Sequence, residues 1–467
     1  MNGKYFSISF FACFCFLQLS PNPLKGQPKE ESEQIVVRLA TENQLIPLYL
    51  TKFSDNNSGL TQKHLQQLEN VLQFDLNHNG MTCTIARSGE KDKIVNKFSS
   101  DDAGDPKTLR SLNVFYVIKA SAGSDKKLSA TLFAVNGDSI KQTSSAPLSG
   151  SLGEDRRKIH QLADAIHKAL FDANGIASTH ILYSVRKKAP EANRWNSEIW
   201  EADYDGENAR RVVNDAGYNI SPVYVPPKPG HHCSGFFYVG YQAAQPKIYV
   251  ASLKEGVGRR LTYLRGNQLM PAIATKRNQV AFISDVAGNP DLFLQAFNPE
   301  TGAINKPHQI FAARKSTQGS PAFSPDGTQL AFVSNKDGSP RIYVIDVPAP
   351  NTPLKDVHAE LVTKHSVESS APAWSPDGAK LAYCAMTNGV RQIWVYNFNT
   401  REERQLTQGP GNKENPSWAP NSLNLVYNRS QGDEISELHL INLNQPNATK
   451  ITSGPGEKRF PNWEPLP

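Results

Sequence analysis

His231-His232-Cys233 is the most ligand-like run in this 467-residue chain. Imidazole and thiolate together suit zinc, but adjacent residues of an extended chain point to opposite sides, so the two histidines are not expected to share an ion. Asp203-Tyr204-Asp205-Gly206 opens like a calcium loop, yet lacks the downstream glutamate such a loop needs, and reads as a turn after a strand. Two Ser-Pro-Asp-Gly runs (residues 324–327 and 375–378) and a degenerate copy, Ala419-Pro420-Asn421-Ser422, repeat a carboxylate or amide at one position. Proline presets φ and Asp-Gly completes a bend, so hairpin geometry accounts for these runs better than metal binding. His160 and His167 share a helix face, where packing or solvent is expected. No G-x-S-x-G elbow, H-E-x-x-H helix, phosphate-cradling glycine loop or C-x-x-C pair occurs. The expectation is a protein with no catalytic residues, metal or cofactor.

The elements that hold these residues repeat. Residues 320–347 read as three short strands with Asp-Gly turns between them, and residues 371–398 repeat the pattern. Anchoring on the proline of the opening strand aligns Pro222, Pro271, Pro321, Pro372, Pro416 and Pro461, spaced 49, 50, 51, 44 and 45 residues apart. That period, with about four strands per unit, is the mark of propeller blades. Second strands fall at residues 181–185, 236–240, 280–284, 330–334, 381–385 and 425–429. Third strands follow at 198–204, 247–253, 291–297, 341–347, 392–398 and 437–443. The first copy lacks its opening strand, while an orphan, Phe460-Pro461-Asn462-Trp463, ends the chain. A ring leaves no sticky edges only if this last strand completes blade one, which closes the count at six. Aromatic pairs such as Trp374 with Tyr383 and Trp418 with Tyr427 recur once per blade and read as core between blades.

Ahead of the repeats, Lys4 and an apolar run from Tyr5 to Leu19, followed by Pro21 and Pro23, read as an export signal over residues 1–26. Residues 27–176 alternate strands and helices. Strand-like runs lie at 35–39, 45–50, 81–86, 112–120 and 128–135, the last turning through Asn136-Gly137 into 139–143. Helices are expected over 60–74, from Asp105-Pro106, and after a Ser151/Glu154 capping box, the last stopping at Asn174-Gly175; residues 89–105 read as a loop. The fold class is therefore an α/β N-terminal domain followed by a six-bladed β-propeller over residues 177–467, closed by the C-terminal strand. Cys83, Cys233 and Cys384, left once the signal is removed, are too few and too scattered for a disulfide framework. The net charge of +6 is mild, and its basic pairs (Arg156-Arg157, Lys187-Lys188, Arg210-Arg211, Arg259-Arg260) are dispersed, which argues against nucleic acid. No segment reaches membrane-spanning length, so no direct membrane insertion is expected.

Strands that open each blade line the channel, so residues just before the anchor prolines are expected to ring one mouth. Gln318, Ser320, Glu368, Ser370, Glu414 and Asn415 are the candidates.

The runs SPAFSPDGTQLAF and SAPAWSPDGAKLAY, the crossing GIASTHILY at residues 175–183 and the closing FPNWEPLP resemble the TolB family of Tol–Pal proteins. So does the layout of signal, small α/β domain and six blades. The resemblance implies a monomeric, non-enzymatic periplasmic scaffold for envelope integrity and cell division. Its channel mouth would bind the peptidoglycan-associated lipoprotein, and its mature N-terminus, with Glu33, Ile35 and Val37, would engage the TolA protein. Family blades often carry an acidic residue directly before the anchor proline. Here those places hold Ser221, Met270, Ser320, Ala371, Asn415 and Phe460, with Glu368 and Glu414 nearby. The alternatives are the propeller of a peptidase or carbohydrate-active enzyme, or a glycan-binding module.

Overall fold

The computed structural model describes residues 44–466, apart from residues 97–104, 136–141, 189–194, 214, 216, 243–244, 365, 367 and 433. The export signal, the run 35–39 with Glu33, Ile35 and Val37, and the Asn136-Gly137 turn lie outside the described residues.

Strands β1 (Ile46–Leu50), β2 (Ser54–Asn56), β3 (Thr82–Thr84), β4 (Tyr116–Gly123), β5 (Lys127–Ala134) and β6 (Gln142–Pro147) form one sheet. Its order is β3-β1-β4-β5-β6, with β2 beside β4. Alternation along the strands sends Leu48, Leu50 and Ile118 to one face and Tyr49 and Val117 to the other. Helices α1 (Gln62–His78), α2 (Gly89–Asn96), α3 (Pro106–Ser111) and α4 (Leu152–Phe171) divide between these faces. The stripes Leu65, Leu68, Leu72 of α1 and Ile159, Leu162, Ile166 of α4 cover the first, while Val95 and Leu109 cover the second.

Four local expectations are corrected. Residues 89–96 are helical, not loop: the Ser88 hydroxyl accepts from the Lys91 N–H at 3.2 Å, and Val95 is buried as an anchor. Ser151 stands at the N-cap of α4 but its side chain caps nothing. Asp155 accepts instead from the Ser149 and Gly150 N–H groups at 2.6 and 3.0 Å, because it is the buried carboxylate of that turn. The same helix stops at Asp172, which takes the left-handed conformation two residues before Asn174-Gly175. The strand expected from Leu112 begins at Tyr116, since Leu112 caps α3 and Asn113 turns left-handed.

Six four-stranded antiparallel sheets follow among the described residues. Their inner strands are Asn219–Tyr224, Gln268–Ile273, Gln318–Phe323, Ser370–Trp374 and Asn412–Trp418 for blades 2 to 6, and Glu457–Trp463 for blade 1. Each inner strand touches the next around the ring. Glu457–Trp463 pairs with His180–Lys188, so the chain's last strand does close blade 1. Trp463 locks it: the ring is buried and its Nε1 donates to Thr179 Oγ1 at 2.8 Å. Tyr427 and Trp418 pack with Ala382 and Ile393 of the neighbouring blade, the inter-blade core read from the aromatic pairs.

In the Ser-Pro-Asp-Gly turns the aspartate closes the hairpin. Asp326 accepts from the Ser324 hydroxyl at 2.5 Å and the Thr328 N–H at 3.0 Å, which lowers its pKa to about 2. Those turns and the links from third to fourth strands share one end of the propeller, because successive strands alternate in direction. The N-terminal part sits at that end. Tyr204, which follows the third strand of blade 1, packs with Leu72 and Leu76 of α1 and with Trp463 in one core. At Gly206 (φ +88°) an added Cβ would meet the Ile451 carbonyl, so this turn requires glycine.

Candidate functional site

All six inner strands carry the same irregularity. In blade 2, Ile220 faces Val239 and Val223 faces Phe237, so three residues span what two span on the partner. The other five blades repeat this bulge at the anchor proline. Proline has no N–H for a ladder, and a bulge on a sheet edge is where its absence costs least. The residue before each proline takes positive φ: Ser221, Met270, Ser320, Ala371, Asn415 and Phe460, all between 44° and 54°. These six residues are half-exposed while all six prolines are buried. The bulges thus present a ring of half-exposed side chains along the inner strands.

Three residues before each proline lies a second ring, of buried polar groups: Asn219, Gln268, Gln318, Ser369, Lys413 and Lys458. Several tie down the loop that enters their own blade. Gln268 Nε2 donates to the Leu264 carbonyl at 3.0 Å, and Lys413 Nζ to the Pro410 carbonyl at 3.1 Å. Burial lowers the Lys413 pKa to about 8, with Arg429 adding to the effect.

The sequence candidates divide accordingly. Gln318 belongs to the buried ring, where it bonds Ser316; it braces the loop and is not offered at the mouth. Ser320 is half-exposed, its N–H 3.0 Å from Met270 Sδ of the preceding blade. Glu368 is half-exposed on the entering loop, with φ of +57°. Ser370 and Glu414 come together through Arg391, whose Nη1 is 3.4 Å from Ser370 Oγ and whose Nε is 3.4 Å from Glu414 Oε1. Asn415 donates to Asn428 Oδ1 at 2.8 Å. Arg391 was missed from sequence because it joins neighbouring blades, a relation no spacing announces.

His231 and His232 are exposed, while burial raises the Cys233 thiol far above its usual range, aided by Glu464 and Glu201. Cys83, Cys233 and Cys384, the cysteines among the described residues, are free thiols.

The densest group of charges lies where α4 meets blade 1. His160, which is buried, puts Nδ1 2.9 Å from the buried carboxylate of Asp75, itself accepting from Tyr204 Oη at 2.8 Å. Nε2 faces Asp205 at 3.6 Å and Asp203 at 3.9 Å. These three ligand atoms lie within 4.8 Å of one another, a spacing that a metal ion could use. The group already holds its own cations, however: Arg156 binds Asp205, and Arg157 Nε is 3.7 Å from Asp203 Oδ1. Burial is the largest influence on His160 and opposes its charge, but Asp75, Asp205 and Asp203 together outweigh it and raise the pKa to about 9. Asp75, Asp203 and Asp205 thus meet Arg156, Arg157 and His160, and His180 Nε2 lies a further 3.6 Å from Asp203 Oδ1. The reading is an ionic clasp between the two parts of the chain.

Comparison with known proteins agrees with this architecture. The family described as "TolB beta propeller domain" matches residues 167–467. "Protein TolB homolog" of Protochlamydia amoebophila (strain UWE25) is 53% identical over 409 residues, 87% of this chain and 86% of that protein. The protein of the same name from Chlamydia trachomatis serovar D is 34% identical over 401 residues, 86% of this chain and 83% of its own length. The crystal structure of TolB from Acinetobacter baumannii superposes with a TM-score of 0.71 at 21% identity, covering 91% of this chain and 98% of that one, which supports the fold. A matching family over most of the propeller and a relative sharing half its residues across both parts establish that the chain belongs to the TolB family.

Proposed function

We propose that this chain acts in the periplasm as the TolB component of a Tol–Pal assembly, a non-enzymatic scaffold that joins partners across the envelope. The observation that carries the reading is the 53% identity to a TolB homolog along 87% of the chain, which includes the N-terminal part as well as the blades. Two features support a binding role. The inner-strand bulges present a ring of half-exposed side chains, and no G-x-S-x-G, H-E-x-x-H or C-x-x-C motif occurs in the sequence. On this reading the mouth formed by Ser320, Glu368, Ser370, Glu414 and Asn415 receives the peptidoglycan-associated lipoprotein. The segment with Glu33, Ile35 and Val37 engages TolA.

The test is a pull-down of the soluble lipoprotein domain from the same cell by the purified chain, beside Glu414→Lys and Ser320→Arg variants that melt like the parent. Retention by the parent and loss in both variants is the expected result. A folded parent that retains no lipoprotein refutes the partner, and undiminished binding by both variants refutes the mouth.

A further inference from the structure

Three of the four basic pairs seen in the sequence have a carboxylate against at least one member. Arg156 and Arg157 face Asp205 and Asp203, Lys187 faces Glu198, and Arg210 and Arg211 face Glu201 and Glu198. Arg259 and Arg260 have no carboxylate partner among the described residues. They stand on the outer strand of blade 2, Gly258–Arg260, beside a cleft of about 530 Å³ between blades 2 and 3. The opposite wall is the outer strand of blade 3, Gly302–Phe311, which contributes Lys306. Lys306 also has no carboxylate partner among the described residues, and no acidic residue lines the cleft.

The floor makes a different demand. Pairing along blade 3 skips between Leu294 with His308 and Ala296 with Ile304, so residues 305–307 leave the ladder. Gln295, wholly buried, fills the gap by donating Nε2 to the Ile304 carbonyl at 2.7 Å and the Asn305 carbonyl at 3.3 Å. Its Oε1 has no partner among the described residues, although the residue lines the cleft. A buried acceptor without a donor is unfavourable, and a ligand N–H would relieve it. At the rim Tyr263 is 83% exposed, with the Arg260 guanidinium 4.9 Å from its ring centre.

We propose that this cleft binds an acidic peptide segment of a partner protein. Its carboxylates meet Arg259, Arg260 and Lys306, a backbone N–H donates to Gln295 Oε1, and aliphatic side-chain atoms lie on Tyr263. Inorganic phosphate answers the rim cations but carries no aliphatic surface to lie on Tyr263. A polysaccharide with one carboxylate per disaccharide offers too few anions for three cations in so short a space. The site lies among outer strands and stands whether or not the partners named above are correct.

The test uses the full mature chain and a fluorescein-labelled peptide of alternating Glu and Gly, with the Gln-Gly peptide and a muramic-acid glycan fragment as comparisons. Anisotropy is expected to show saturable binding of the acidic peptide only, with amide hydrogen exchange slowed in residues 258–264 and 301–307. Arg259→Glu with Lys306→Glu is expected to weaken binding by about tenfold or more, as removal of complementary charges does. Lys63→Glu with Lys107→Glu, the same charge change on exposed helix starts, is expected to leave it unchanged. No peptide binding, an equal loss in both double variants, unslowed exchange in the cleft, or tighter binding of the glycan would each overturn the proposal.

Discussion

Blade 6 lacks the Ser-Pro-Asp-Gly turn of blades 4 and 5, and its substitute is predicted to hold the two parts of the chain together. In Ala419-Pro420-Asn421-Ser422 the asparagine keeps the turn: its Oδ1 accepts from the Leu423 and Asn424 N–H groups at 3.1 Å each. Asp326 does the same for Thr328 at 3.0 Å and Asp377 for Ala379 at 3.0 Å. What asparagine adds is a donor. Asn421 Nδ2 reaches the Asn79 carbonyl at 3.0 Å, just past the end of α1, and Asn424 Oδ1 at 3.0 Å. Neighbouring carbonyls of the same helix end are met by blade 6 as well: Asn424 Nδ2 to His78 at 2.7 Å, Asn444 Nδ2 to Gly80 at 2.9 Å and Gln445 Nε2 to Asn77 at 3.2 Å. A helix leaves its last carbonyls without intrahelical donors, and here the propeller supplies them.

Asn421→Asp preserves volume and turn geometry but removes both donations and sets a carboxylate against two acceptors. Two net hydrogen bonds are worth about 2 kcal/mol, and the stranded acceptors bring the loss to about 2–4 kcal/mol at neutral pH. Thermal unfolding is expected to fall by about 4–8 °C, taking about 2 °C per kcal/mol for a unit of this size. The new carboxyl is disfavoured as an anion in the folded state, so its pKa there exceeds its unfolded value. The deficit should therefore narrow as pH falls toward 4.5, where the protonated form donates again. Asp326→Asn, in a turn that touches no helix of the N-terminal part, is the control and should cost less than about 1 kcal/mol. Melting of both variants at pH 7.5 and 4.5 decides the matter. A neutral-pH loss no larger than the control's, or a deficit that ignores pH, would refute the reasoning.

Two further outcomes follow from the junction and the closure. His160 is raised from 6.5 to about 9, so its contribution is complete below pH 6.5, declines as the unfolded histidine loses its proton, and is gone above about 9. That rise corresponds to about 3 kcal/mol. Denaturant titrations between pH 6 and 10 should show this alkaline decline, and His160→Gln should be less stable at pH 6 and lack it; an equal slope in both proteins would count against the clasp. Trp463→Ala removes a buried ring and its bond to Thr179, with an expected loss of about 3–5 kcal/mol read by chemical unfolding. Deleting residues 460–467 should prevent the cooperative melt altogether, and an unchanged melting curve would defeat the closure.

The ring was legible because its punctuation is chemical: Pro and Asp-Gly mark backbone conformations that few other residues take so readily, and they recur at blade spacing. The bulge itself was not legible from side chains. The positions with positive φ hold Ser, Met, Ser, Ala, Asn and Phe, which share no chemistry; only the following proline marks them. Gln318 was misplaced for a related reason, since the extra residue shifts which positions turn outward, and strand alternation alone does not say where a bulge falls. The helix at residues 89–96 escaped notice because one serine cap and one buried valine are weak signals in a charged stretch. Contacts between the two parts were hidden more deeply, because they depend on which turn of which blade meets α1. Even so, they left a trace. Blades 4 and 5 keep Asp-Gly at this turn. Blade 6 carries Asn421-Ser422 instead, accepts a left-handed serine (φ 56°), and gains the amide that the helix end requires. Blade 3 departs too, at Ala274-Thr275-Lys276-Arg277 with a left-handed Arg277 (φ 61°), so the departure alone does not announce a neighbour; the side-chain amide that blade 6 brings to the helix end does.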